Sequence, residues 1–181
     1  MYKTTDVEAI GIVFDVSLRH GSNKKKNLDN IKSGLIEFFR KNLEEDDIMY
    51  LYHPDIIDVE DHVGAHVGAV ANYTTDGWKF ELNFALQQTL FIVAAVPCET
   101  KTVILITDRL SETKPLKRVS SFNTKDDLGC RIICVDIGCH LPDVEYADIF
   151  HIPDSSQLTS DLFKEIVHGK NNICSTSSYT E

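Results

Sequence analysis

The feature that most constrains the fold of this chain is a pair of apolar runs that each stop at an acid. Ala9-Ile10-Gly11-Ile12-Val13-Phe14 runs into Asp15, and Val103-Ile104-Leu105-Ile106 runs into Thr107-Asp108. A strand buried on both faces reads as a continuous apolar run, and such strands belong to parallel sheets covered by helices. Open sheets of that kind take their ligands just beyond the carboxyl ends of the strands. Asp15 and Ser17 therefore offer oxygen ligands where such a fold does its chemistry, and hard divalent cations choose oxygen. Two carboxylates ending two strands point to one shared site.

Strand and helix patterns alternate from end to end, which predicts an α/β fold: a doubly wound, mostly parallel sheet with helices on both faces. Strands are expected over 9–14, 48–52, 102–107, 131–137 and 147–152. Leu28, Ile31, Leu35, Phe38, Phe39 and Asn42 share one face of a helix expected over 27–43. A second helix is expected over 78–93, ended by Pro97, which cannot continue a helix ladder. Residues 53–72 carry Gly64 and Gly68 among Val63, Val67 and Val70, and read as a loop or a weak edge strand. Residues 116–128 read as a poorly patterned helix or a loop. Ser155 or Ser156 is expected to cap a last helix carrying Leu158, Leu162, Phe163, Ile166 and Val167. One domain is expected over 1–168, with a polar, serine-rich, flexible tail over 169–181.

Charge narrows the partners. The formal net charge is −10, so the basic footprint that a nucleic-acid backbone requires is missing. The one basic cluster, Lys24-Lys25-Lys26, reads as a solvated loop. The longest apolar stretch, Leu90 to Val96, is too short to span a bilayer, and no secretory leader pattern is visible. Five cysteines are an odd number without zinc spacing, and Cys130 and Cys134 share one strand face as small hydrophobes. These features lead us to expect a reduced, cytoplasmic protein that binds neither nucleic acid nor membrane. The sequon Asn72-Tyr73-Thr74 carries no weight in that setting. His62 and His66 stand four apart, but the surrounding glycines argue against a helix that would align them on zinc. His20 reads as solvent-exposed, and Trp78 as packing at the start of its helix.

With these pieces laid out, the chain resembles a von Willebrand factor type A domain over nearly its whole length. The resemblance rests on Gly11-Ile12-Val13-Phe14-Asp15-Val16-Ser17, the helix around Lys32 to Phe39, and Asp47 to Tyr52. It continues through Trp78 to Leu86, Val103 to Asp108, and Gly129 to Gly138. In that family the first strand ends in Asp-x-Ser-x-Ser, a threonine precedes the third helix, and the fourth strand ends in Thr-Asp-Gly. Together they form a metal-ion-dependent adhesion site for magnesium or manganese, with one position left for a partner's carboxylate.

The carry-over is partial. Asp15, Ser17 and Asp108 match, and the threonine is Thr75 or, in the other register, Asp76. Arg19 stands where the second serine belongs, and Arg109 where the glycine does. A guanidinium is always charged and cannot ligate a cation, so an arginine there would pair with Asp15 or Asp108 instead. The resemblance thus implies either a site for Mg²⁺ or Mn²⁺ held by Asp15, Ser17, Asp108 and Thr75 or Asp76, or an arginine-neutralised remnant.

Three functions follow. The first is a module that binds another protein at the strand ends, with or without a cation, through an acidic side chain of that partner. The second is a structural subunit with an inactive metal site. The third is a Mg²⁺-dependent phosphoryl-transfer enzyme. The chain lacks the Gly-rich phosphate loop with its lysine, a second aspartate two residues after Asp15, and any Ser-His or Cys-His spacing. A non-enzymatic interaction module is therefore the expectation.

Overall fold

The computed structural model describes residues 7–14, 24–52, 63–73, 82–107, 129–138 and 147–169. Five strands, β1 (Glu8–Phe14), β2 (Ile48–Leu51), β3 (Thr100–Thr107), β4 (Arg131–Ile137) and β5 (Asp148–Ile152), form one sheet. Their order is β2-β1-β3-β4-β5, and every neighbouring pair is parallel. The helices are α1 (Lys24–Asn42), α2 (Val63–Asn72), α3 (Leu82–Ala95) and α4 (Ser160–His168), the last preceded by a 3-10 turn at Ser155–Gln157.

Parity along the strands sorts the core into two halves. Ile10, Ile12 and Phe14 of β1, Ile104 and Ile106 of β3, and Ile133, Val135 and Ile137 of β4 face one side. There they pack with Ile31, Leu35, Phe38 and Phe39 of α1, Val70 of α2, and Phe163 and Ile166 of α4. Ala9, Val13, Val103, Leu105, Ile132 and Cys134 face the other side and meet Leu82, Leu86, Leu90 and Val93 of α3. Helices therefore cover both faces, as the continuous apolar runs require. Cys130 and Cys134 are buried together on the α3 side.

Two close approaches fix the layers. A Cβ at Gly11 would lie 2.5 Å from Thr89 Cγ2 and 2.8 Å from Val93 Cγ2, so a bare backbone lets α3 seat on β1. A Cβ at Gly34 would lie 1.9 Å from the Leu158 carbonyl oxygen, so α1 touches the main chain leading into α4.

Three local expectations are corrected. Lys24-Lys25-Lys26 is not a loop but the first turn of α1. Residues 63–72 form α2, not a loop or an edge strand, because His66 and Val70 bury completely on that helix. His66 packs edge-on against Phe39, centroids 6.1 Å apart, so burial outweighs the weak helix propensity of the two glycines. Ser155 and Ser156 do not cap the last helix. Thr159 does, its side chain accepting from the Leu162 N–H, while Asp154 caps the 3-10 turn. Ser155 is buried instead and donates to Asn27 Oδ1 at 2.8 Å. The readings of 116–128, of His20, His62 and Trp78, and of the tail beyond Gly169 lie outside the described residues.

Candidate functional site

The strand order places a topological switch beside β1. The chain steps from β1 to β2 on one side, with α1 on one face, then returns past β1 to β3, with α3 on the other face. Such switch points open a crevice beyond the carboxyl ends of the two strands concerned. Here those strands are β1 and β3, in direct register up to Phe14↔Ile106. The next residues in the sequence are Asp15 after Phe14 and Asp108 after Thr107. Asp15, Ser17, Arg19, Thr75, Asp76, Asp108 and Arg109 themselves lie outside the described residues.

The described rim is built of large rings and three polar groups. Phe14 and Tyr73 stack obliquely, centroids 4.6 Å apart, both buried. The Tyr52 N–H donates to the Ile12 carbonyl at 2.9 Å and continues the β2 ladder to the rim. Thr107, Asp136 and His151 stand at one level across β3, β4 and β5, through the pairs Thr107↔Asp136 and Asp136↔His151. Asp136 is wholly buried, and its Oδ2 accepts from His151 Nδ1 at 2.9 Å. A carboxylate only accepts, so Nδ1 carries the proton and the ring is held in one orientation. Beyond Asp136 the Gly138 N–H donates to the Ile152 carbonyl at 2.7 Å, with φ 97° at the glycine.

Asp136 and His151 escaped the sequence reading. The signal was available: an acid inside Ile132 to Ile137 on the strand parity that buries, and a histidine inside Ile149 to Ile152 at the matching position. Among the described residues no group of three or more His, Cys, Asp or Glu is placed to hold a metal ion. The Asp136–His151 pair is thus an orienting pair, not by itself a metal centre.

The opposite edge is also polar, with different chemistry. Arg131 Nε donates to Asp148 Oδ2 at 2.7 Å, and its Nη1 donates to the carbonyls of Ile166 and Val167 at 3.2 and 2.9 Å. It thereby satisfies the orphan carbonyls at the end of α4. Lys101 Nζ does the same for α3 through the Ala94 carbonyl at 2.6 Å. Between them lies an open groove of about 440 Å³, lined by Thr100, Lys101, Cys130, Arg131, Asp148 and Val167 among others. Burial pushes the Cys130 and Cys98 thiols up.

Among solved structures, the chain resembles a von Willebrand factor type A protein from Catenulispora acidiphila. That match has TM-score 0.63 and 14% identity, and covers 91% of this chain and 43% of the other. The fold is of the von Willebrand factor type A kind. The D319A mutant of the PilB minor pilin from Streptococcus sanguinis shares it, with TM-score 0.64, 11% identity, and coverage of 92% and 62%. So does an aerotolerance-related membrane protein from Bacteroides fragilis, with TM-score 0.58, 9% identity, and coverage of 90% and 100%. No family model and no curated protein matches the sequence. Likeness at these identities establishes the type A fold alone. The chain spans less than two thirds of the Catenulispora and Streptococcus proteins.

Proposed function

We propose that this type A-like domain is a protein-interaction module whose partner docks at the carboxyl edge of the sheet. One observation carries the reading: β1 and β3 are adjacent at the switch point, and each runs directly into an aspartate in the sequence. The structural neighbours add support, since they include a minor pilin and the pilus adhesin SpaC from Lactobacillus rhamnosus GG. The residues to hold Mg²⁺ or Mn²⁺ are Asp15, Ser17 and Asp108, with Thr75 or Asp76. The donor set is all oxygen, as these hard cations require. A bound cation would supply a docking point for an acidic side chain of the partner. Nothing in this reading calls for catalysis, and we propose a non-enzymatic role. Cytoplasmic residence belongs to the same proposal, supported by an odd number of cysteines without zinc spacing. No described helix is long and apolar enough to cross a membrane.

The experiment is thermal unfolding in chelator and in millimolar Mg²⁺ or Mn²⁺, for wild type and Asp15→Ala. An ion that binds only the native state raises the melting temperature, and Asp15→Ala removes the rise. A second reading is favoured by Arg19 and Arg109, which stand where the family keeps a serine and a glycine. It predicts no metal response and a loss of stability in Arg19→Ala. That pair of results would replace the cation by an arginine-neutralised rim.

A further inference from the structure

The amino edge of the sheet gathers titratable groups from separate elements around one buried acid. Glu8 opens β1 and is 7% exposed. Its N–H donates to Asp47 Oδ1 at 2.9 Å, and Asp47 Oδ2 accepts from the Glu44 N–H at 2.8 Å, so the Asp47 carboxylate is fixed beside it. From α4, His168 brings Nδ1 within 3.8 Å of Glu8 Oε2. From β4 comes Arg131, whose guanidinium also holds the carbonyls of Ile166, Val167 and Gly169. Cys98, with Lys101 beside it, faces the cluster from the segment entering β3. On the α1 side the neighbour is apolar: the Phe38 ring lies 6.2 Å from the His168 ring.

We propose that Glu8, Asp47, Arg131 and His168 form a proton-gated clasp, which holds the last turn of α4 on the sheet while Glu8 carries a proton and releases it when Glu8 ionises. Two buried carboxyls side by side cannot both be charged cheaply, and Asp47 is committed by two backbone N–H bonds. Glu8 is therefore the member that keeps a proton. Burial first, and Asp47 second, raise its carboxyl from 4.5 to about 7, with Arg131 pulling the other way. Ionised Glu8 regains water only if something above it moves, and the element ending on it is α4. Arg131 couples the two events, because the cation that would turn toward ionised Glu8 is the one capping that helix. His168 is held below 6.5 by burial and by Lys164, so it is neutral when Glu8 titrates.

The test is amide exchange on the whole protein, corrected for intrinsic base catalysis, at Val167, His168 and Gly169. If opening returns Glu8 to its ordinary acidity, protection there falls about tenfold between pH 6 and pH 8.5. In Glu8→Gln, which mimics the protonated side chain, protection is independent of pH. Amides of Leu35 to Phe39 in α1 keep their protection throughout. In wild type alone, the side-chain carbon of Glu8 titrates near pH 7, where the loss of protection levels off. A midpoint near 4.5, an unchanged pH dependence in Glu8→Gln, or a parallel loss at α1 would each overturn the clasp, the last by showing global unfolding.

Discussion

The two ends of this sheet are both polar and are polar for opposite reasons. At the amino edge, Arg131 and Lys101 spend their donors on the last carbonyls of α4 and α3, and Asp47 accepts two backbone N–H groups. Those charges finish secondary structure. At the carboxyl edge, the described polar residues stand in a row across three strands, and the acids that follow β1 and β3 in the sequence terminate strands rather than helices. The difference teaches that charge at a sheet edge indicates a ligand only after helix ends and turns have been satisfied.

The sharpest way to break the contrast is Arg131→Leu. It removes the partner of Asp148 and the cap of α4, and urea unfolding is expected to show a loss of about 3 kcal/mol. At the other edge, Asp15→Ala is expected to leave the chelated protein nearly unchanged. It should abolish a metal-induced stabilisation of about 2.7 kcal/mol, measured by thermal shift at one hundred times the wild-type dissociation constant. A large loss in chelator would instead make that edge structural too. His151→Leu, which removes the His151 N–H from the buried Asp136 carboxylate, is expected to cost about 2 kcal/mol, with Asp136→Asn recovering part of it in a double-mutant cycle.

Acidity acts within the amino edge. A carboxyl raised on folding contributes stability that is fully present below 4.5 and is lost as pH rises through about 7. His168 works the other way: its lowered value gives stability present above 6.5 and lost as pH falls. The difference between wild type and Glu8→Gln isolates the acid. Wild type is expected to lose about 2 kcal/mol relative to the variant between pH 5 and pH 8, measured by urea midpoints.

The sheet was legible because β1, β3 and β4 are buried on both faces, so their apolar runs had one reading. Helix α1 was legible because Ile31, Leu35, Phe38 and Phe39, all fully buried, keep strict helical spacing. Helix α2 was not, since Gly64 and Gly68 outweigh its valines locally and the burial of His66 and Val70 against the core makes the helix form. Asp136 hid inside an apolar strand, and its meaning depends on a residue one strand away. The switch between β1 and β3 falls where the sequence puts Asp15 and Asp108, whose side chains stand outside the described residues. A Cβ at Gly64 or Gly68 meets nothing within 4 Å. Alanine at either position is therefore expected to raise stability by about 0.5 kcal/mol, the smallest effect here, read from thermal midpoints.

The central pairing has a consequence for how the chain is made. Glu8 takes its neighbour on one side from Thr100, so β1 waits for roughly ninety further residues before that flank is covered, a long loop to close and a slow step. During synthesis its apolar ribbon stands with a bare border, inviting the wrong strand, and chaperone demand should concentrate in that interval.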